Sequence, residues 1–526
     1  MKKMLKSVLS VALSLILALG VCMIAGAKSD VHDPVIVVSG MGAFPLYCVD
    51  EDGNETQVWA PSGEVIKNTV VSVLKKSVSA GGFVDGLLDA LYEDMFSYIA
   101  CNEDGTSINN IVFPVFDKSV DNYPEDFEGS ENNEDEVGIV KALCRQYGAE
   151  NVYFFNYDWR MSPLNDAVAL NDFIENVKAE KGASTVTLIP CSMGGTVANA
   201  YLYKYGSSSV SKIIYSMVAS KGLDMVGELF NKNITVSVDT VLEYFFSFEM
   251  GTVLVQTLIS AVQAGLGYSM LGVGLDALIA KLLNAVNDKA YSELLTKTFA
   301  NFPGIWAFVG DEYYESAKET MFGGNMNRDL AALTDEYHNN VMNVAEQLMS
   351  RAQSNTDIYI IAGYGYVGAP LTEHAREQSD CLIETKNEAF GATVAKYGET
   401  LGNGYEAAGT NCSDASHRHL STDGVIDATT GAFPEQTWFI KNNRHVGMNC
   451  ETDCAGLLIF LTETDRASVD SDENYPQFIE LNPVTGEFTS LTGDEVEQTN
   501  KITHAFSRLI YVIRALIDTI KKYLAF

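Results

Sequence analysis

Basic residues are scarce in this sequence. Its 526 residues hold 35 Lys and Arg against 69 Asp and Glu, a formal charge of −34. Such a polyanion cannot neutralise a phosphate backbone without a local basic stripe, and none of the usual size stands outside the termini, which excludes a nucleic-acid binder. The nine cysteines form no C-x-x-C pair, which speaks against a zinc ribbon or a thioredoxin-type redox centre. No EF-hand pattern is present, so the acidic stretch 117–136 reads as a solvated loop. Internal repeats are also missing. What is plentiful is apolar side chain, 47% of the total. That excludes a disordered chain, and the length admits one large elaborated domain or two to three smaller ones of roughly 100–200 residues each.

Residues 1–27 have the layout of a secretory signal peptide: Lys2, Lys3 and Lys6, an uncharged apolar run from Ser7 to Ile24, then Ala25-Gly26-Ala27. The expected location is secreted or extracytoplasmic, with an uncleaved membrane anchor as the alternative, since the run approaches the ~20-residue spanning length. An exported chain can oxidise its cysteines, but eight of them allow 105 full pairings, so spacing alone assigns none. His417-Arg418-His419 with Asp414 lacks a second Cys/His cluster and reads as a surface loop, so no metal is expected.

Short β-branched runs at 34–39, 152–156, 186–189, 212–217, 357–362 and 437–440 alternate with amphipathic stretches such as 164–181. This pattern predicts an α/β fold, a mainly parallel sheet flanked by helices. The expected organisation is a core in two parts, 28–221 and 351–465, interrupted by a helical cap at 222–350. A C-terminal extension, 466–526, ends in an amphipathic helix. Within the cap, 251–275 carries no charge, but its glutamines and glycines disfavour one long apolar helix. The basic, helically periodic tail from Lys501 packs on the core or lies on a membrane surface.

The run 186–189 leads into Pro190-Cys191-Ser192-Met193-Gly194-Gly195, with a helix-like stretch 196–205 behind it. This is the pattern of a nucleophile elbow, in which a serine sits on a tight strand-to-helix turn between small residues. Pro190 stands where the pattern has its first glycine. Cys191 is a rival nucleophile, but Gly194 lies two residues after Ser192, the spacing the elbow requires. A serine nucleophile needs a base, an acid to orient it and donors for the oxyanion. Ser39-Gly40-Met41-Gly42, after the first run, is a loop able to aim the Met41 N–H at the oxyanion beside that of Met193. Asp423 lies in a late turn, with Asp427 as its competitor, and His445 follows the run 437–440. The order Ser192, Asp423, His445 is that of α/β-hydrolases.

Tyr157-Asp158-Trp159-Arg160-Met161-Ser162-Pro163, after the second run, adds a more specific signal. Together with the elbow it resembles the lecithin:cholesterol acyltransferase family, which also holds the lysosomal phospholipase/transacylase and the phospholipid:diacylglycerol acyltransferases. Pro34 to Gly42, Asp423-Gly424-Val425 and Arg444-His445-Val446-Gly447-Met448 are similar to other family segments, and Asn301 to Trp306 is similar to the cap-to-core return. Pro190-Cys191 and Ser39 depart from the family pattern. The resemblance covers about 34–60, 135–222 and 350–465. It implies an α/β-hydrolase fold and a lid disulfide between Cys48 and Cys101. Asp158 and Arg160 read as a buried salt bridge beside the elbow, with Trp159 as a plug or a wall of the acyl pocket.

The expected chemistry is transfer of a fatty acyl group from a phospholipid or related ester to Ser192, then to water or an alcohol, with no metal or organic cofactor. Transient contact with a lipid surface is expected, and nothing speaks to oligomeric state. A secreted carboxylesterase on small or polymeric esters, a binding protein on a degenerate hydrolase scaffold and a membrane-anchored structural protein stand as alternatives.

Overall fold

Strands form where the sequence concentrates β-branched and aromatic residues. In the computed structural model eight of them make one sheet in the order β13-β12-β11-β8-β7-β6-β1-β5. The structure describes residues 32–59, 92, 96–127, 134–235, 244, 295–412, 417, 419–445, 452–482 and 485–491. From the N-terminal side, β1 is Val35–Val38, β2 Leu46–Val49, β3 Glu55–Trp59, β4 Ile111–Val112, β5 Val152–Phe155, β6 Val186–Pro190 and β7 Val210–Ser216. Then follow β8 Asp357–Tyr364, β9 Thr393–Val394, β10 Ile426–Asp427, β11 Thr437–Lys441, β12 Phe478–Leu481 and β13 Phe488–Ser490. All neighbours in the large sheet run parallel except β12 and β13. Strands β3-β2-β4 and β10-β9 form two small antiparallel sheets.

Strands β1, β5, β6, β7, β8 and β11 are buried on both faces, as crossovers that place helices on either side require. Alternate residues separate the two layers. Ile36, Val38, Tyr153, Leu188, Ile213 and Ile360 pack on one side with α2 (Pro163–Lys181) and α3 (Gly194–Tyr205). Val37, Phe154, Ile214, Ile361 and Ile440 pack on the other with α1 (Glu134–Tyr147) and α10 (Asp453–Glu463). Local signals mark the ends of α2. Ser162 caps its N-terminus by accepting the Leu164 N–H at 3.3 Å, Pro163 opens it, and Gly182 at φ +64° ends it.

The connection from β7 to β8 holds α4 (Asp224–Phe230), α5 (Pro303–Trp306), α6 (Asp311–Phe322), α7 (Arg328–Asn340) and α8 (Ala345–Ala352). From residue 299 on, its side chains, among them Phe302, Trp306, Tyr314, Tyr337 and Met349, belong to the same apolar core as β1 and β6. This part of the expected cap is therefore a layer of the core. The uncharged stretch 251–275 lies outside the described residues. The core also continues past 465, because β12 and β13 extend the sheet from within the expected C-terminal extension. The signal-like segment 1–27 and the tail from Lys501 lie outside the described residues, and no described helix is long and apolar enough to cross a membrane. Contacts divide the chain into Met1–Asp33, of which His32 and Asp33 are described, and the unit Pro34–Phe526.

Candidate active site

The elbow forms where the sequence places it. Pro190 is the last residue of β6, paired in register with Val38, and the pairing continues beyond it, the Cys191 N–H donating to Val38 O at 3.0 Å. Ser192 follows at φ +50°, a left-handed conformation that a non-glycine residue adopts only when its surroundings enforce it. Those surroundings are tight. The Ser192 N–H donates to Ser216 O at 3.2 Å, and Ser192 O accepts from Gly195 and Ala219 at 3.1 and 3.0 Å. A Cβ on Gly194 would stand 2.5 Å from Val38 O, and one on Gly195 would stand 2.5 Å from Val218 Cβ. Both glycines are needed for α3 to start this close to the sheet. Cys191 is buried, its thiol 3.8 Å from Ile189 O.

His445 lies four residues past β11, and its Nε2 is 2.8 Å from Ser192 Oγ across 253 residues of sequence. Its Nδ1 meets Asp380 Oδ2 at 2.5 Å, and its backbone N–H donates to Asp380 O at 2.7 Å. The acid beside the imidazole is thus Asp380, in the loop after β8, which sequence reasoning did not single out. Asp423 is elsewhere: its Oδ2 takes Lys441 Nζ at 2.9 Å and the Tyr364 hydroxyl at 3.2 Å. Lys441 and Tyr364 are register partners on β11 and β8, so they hold Asp423 against the strand ends, away from the imidazole. Asp427 is also occupied. One oxygen caps Thr429 and the other accepts from Tyr405 and Ala408.

Asp380 is fully buried and built into a turn. Its Oδ1 accepts the N–H groups of Leu382 and Ile383 at 2.9 and 2.8 Å, and Cys381 beside it has φ +89°. Gly363 makes room for it, since a Cβ there would lie 2.8 Å from Asp380 Cβ and from Asn443 O. Burial alone would raise the Asp380 carboxyl. The His445 charge, the bond to its ring and the Ile383 N–H outweigh burial and hold the group below the usual carboxylate range. Glu388, on α9 (Thr385–Glu388), accepts the Gly363 N–H at 2.6 Å. Burial, then the Asp380 charge, push its carboxyl well above the ordinary value, opposite in direction to Asp380.

The N–H groups of Met41 and Met193, the expected oxyanion donors, have no acceptor among the described residues. Met41 is 41% exposed and Met193 is buried at the start of α3. The loop that carries Gly40 and Met41 is anchored by the Tyr157 hydroxyl on Ser39 O at 2.9 Å. Gly42 is at φ +78°, under Trp59.

Asp158 and Arg160 make the expected buried pair, Nη2 to Oδ2 at 2.6 Å and Nε to Oδ1 at 2.9 Å. Arg160 Nη1 also donates to Ile99 O at 2.7 Å and Ser107 Oγ at 3.1 Å. Arg160 O accepts the Gly304 N–H at 2.9 Å, and a Cβ on Gly304 would stand 2.1 Å from Trp159 O and 2.9 Å from Met193 Cε. The segment from Asn301 to Trp306 is therefore docked on the loop beside the elbow. Trp159 packs at 5.3 Å from Trp59 and 5.9 Å from Phe302, and Phe96 and Phe299 extend the aromatic group. The Cys48–Cys101 disulfide is not formed. Both are free thiols, and Cys101 Sγ lies 4.0 Å from Arg160 Nη1, with burial raising its thiol to about 12.

Among the described residues two groups gather three or more metal-capable side chains: Asp380, Glu388 and His445, which the geometry above already employs, and Cys412, His417, His419 and Glu435. The first group, with Ser192 at its edge, can deprotonate the serine hydroxyl and hold the resulting imidazolium. No family model matches the chain. None of the curated proteins matches it either. One solved structure, the crystal structure of the Tle4-Tli4 complex, aligns over 82% of this chain and 98% of its own, at 13% identity and a TM-score of 0.30. A likeness that weak adds nothing to the fold described above.

Proposed function

We propose that the chain is a serine hydrolase of the lecithin:cholesterol acyltransferase type, exported from the cell, that cleaves or transfers the fatty acyl group of a phospholipid or related ester. The observation that carries the reading is Ser192 Oγ at 2.8 Å from His445 Nε2, on a serine held at φ +50° at the head of α3. In the reaction His445 Nε2 takes the Ser192 proton as Oγ attacks the ester carbonyl. Asp380 keeps the proton of the other ring nitrogen in place and stabilises the imidazolium. The carbonyl oxygen gains its negative charge between the N–H groups of Met41 and Met193, and loss of one such donor typically costs on the order of 10²–10³ in rate. The imidazolium then protonates the departing alcohol. Water or a second alcohol, deprotonated by His445, releases the acyl group from Ser192.

An acyl chain is favoured by the aromatic group of Trp59, Phe96, Trp159, Phe299 and Phe302 beside the elbow. The test is acyl release and transfer from phosphatidylcholine vesicles containing a long-chain alcohol, with free fatty acid and ester product followed together. Wild type is expected to yield acyl products and Ser192→Ala none, the product ratio separating hydrolase from transferase. Fluorophosphonate labelling of Ser192 without turnover on the vesicles would leave a serine hydrolase with another ester substrate. Absence of labelling would mean a degenerate scaffold.

A further inference from the structure

His417 and His419 gain in the fold what the sequence alone did not provide. Cys412, His417, His419 and Glu435 bring one ligand atom each to within 4.8 Å of one another. Cys412 Sγ lies 3.1 Å from Glu435 Oε1 and 3.8 Å from His417 Nδ1, which is 3.7 Å from the same Glu435 oxygen. Zinc binds sulfur at about 2.3 Å and nitrogen or oxygen at about 2.0–2.2 Å, so the edges of its tetrahedron measure about 3.3–3.7 Å. The three separations bracket that range.

The hydrogen bonds behind the cluster fix which ring nitrogens face it. The Gln477 amide NH₂ donates to Pro434 O at 2.5 Å and Thr437 O at 3.2 Å, which leaves its Oε1 as an acceptor, 2.7 Å from His419 Nδ1. His419 Nδ1 therefore carries the proton, and Nε2 presents a lone pair. That Nε2 is buried and has no hydrogen-bond partner, in a residue only 6% exposed. A buried polar atom left in this way is costly unless something binds it. His417 is backed likewise, its Nε2 3.1 Å from Asp470 Oδ2, which leaves Nδ1 toward Cys412 and Glu435. A carboxylate or carbonyl on the far nitrogen is how proteins orient metal-ligating histidines.

We propose that Cys412, His417, His419 and Glu435 form a structural zinc site. On binding, the Cys412 thiol gives its proton to solvent. Thiolate, carboxylate and two neutral imidazoles then balance the divalent charge. Four protein ligands close the coordination sphere, the mark of a structural rather than a catalytic zinc. Its place in the fold agrees: Glu435 precedes β11 and Gln477 precedes β12, whereas His445 follows the other end of β11. The metal would pin the long connection that runs through Cys412 to the sheet.

The test uses the full chain purified without chelator. One equivalent of zinc is expected by elemental analysis, and one equivalent of cobalt(II) is expected to give the intense visible bands of a tetrahedral site with a thiolate-to-cobalt band. In Cys412→Ser the thiolate band disappears, His419→Ala loses stoichiometric binding, and Gln477→Leu weakens zinc binding about 10–100-fold. His417→Gln, at a half-exposed position, repeats the loss if a buried variant fails to fold. A metal-free protein whose cobalt(II) spectrum is weak, or unchanged in Cys412→Ser, overturns the proposal.

Discussion

Ser192, His445 and Asp380 are each held by backbone rather than by side-chain packing alone. The serine is fixed by the bonds of its own N–H and carbonyl, and Asp380 by two N–H donors on one oxygen and the imidazole on the other. An acid so placed sets the imidazole tautomer, and replacing it with an amide leaves the geometry but presents the wrong one. Asp380→Asn is therefore expected to lower turnover by roughly 10⁴-fold. Asp423→Asn, which loses only the Lys441 and Tyr364 contacts, should label with a fluorophosphonate at near the wild-type rate. A dead Asp423→Asn beside an active Asp380→Asn would reverse the assignment. Ser192 and His445 were legible because each follows a strand with a turn pattern of its own. The acid was not, because the connection from β8 to β11 holds many carboxylates, and only the tertiary path of that connection decides which reaches Nδ1. Gly363 was the local trace of Asp380, a gap whose purpose shows only once the loop folds over it.

The loop from Asp158 to Pro163 joins three parts of the chain that are distant in sequence. Arg160 reaches Ile99 and Ser107 with its guanidinium and Gly304 with its carbonyl, and Ser162 starts α2. The guanidinium is wholly buried, and removing one partner of such a pair strands the other charge, at a typical cost of 3–5 kcal/mol. Arg160→Met should lower the denaturant midpoint accordingly, while Arg160→Met with Asp158→Asn recovers part of the loss. No recovery in the double variant would mean that the bonds to Ile99 and Ser107, not the charge, dominate. At this scale the sequence was informative where pattern is local. All six β-branched runs are strands of the large sheet, because period and composition report burial on both faces. The boundaries at 350 and 465 were not legible, since helices of the insertion bury the same kind of apolar stripe as core helices. Nor does a short strand such as β12 announce which sheet it will join.

Across the whole molecule, buried carboxylates make stability depend on pH in two opposite ways. Burial raises Asp166 and Glu388 well above their ordinary values and Glu384 to about 8, with Asp158, Asp380 and Asp224 respectively adding to the effect. A raised acid binds more protons folded than unfolded, so its contribution is complete below the ordinary value and declines as pH rises through the folded one. Asp380 and Asp427, both lowered, contribute above the ordinary value of 3.8 and lose that contribution as pH falls. The melting temperature should accordingly peak at about pH 5 and fall toward pH 8. Glu384→Gln should flatten the alkaline limb, and an unaltered slope would mean that Glu384 is ionised in the native protein at neutral pH. Strand order carries a different consequence. From β6 through β7, β8, β11 and β12 to β13 the sheet is laid down in the order of the sequence. A chain emerging from its N-terminus thus finds each new partner strand already waiting, and pairing proceeds by accretion at one edge. Until β11 and the residues behind it arrive, Ser192 stands in the nascent protein without the His445 imidazole beside it.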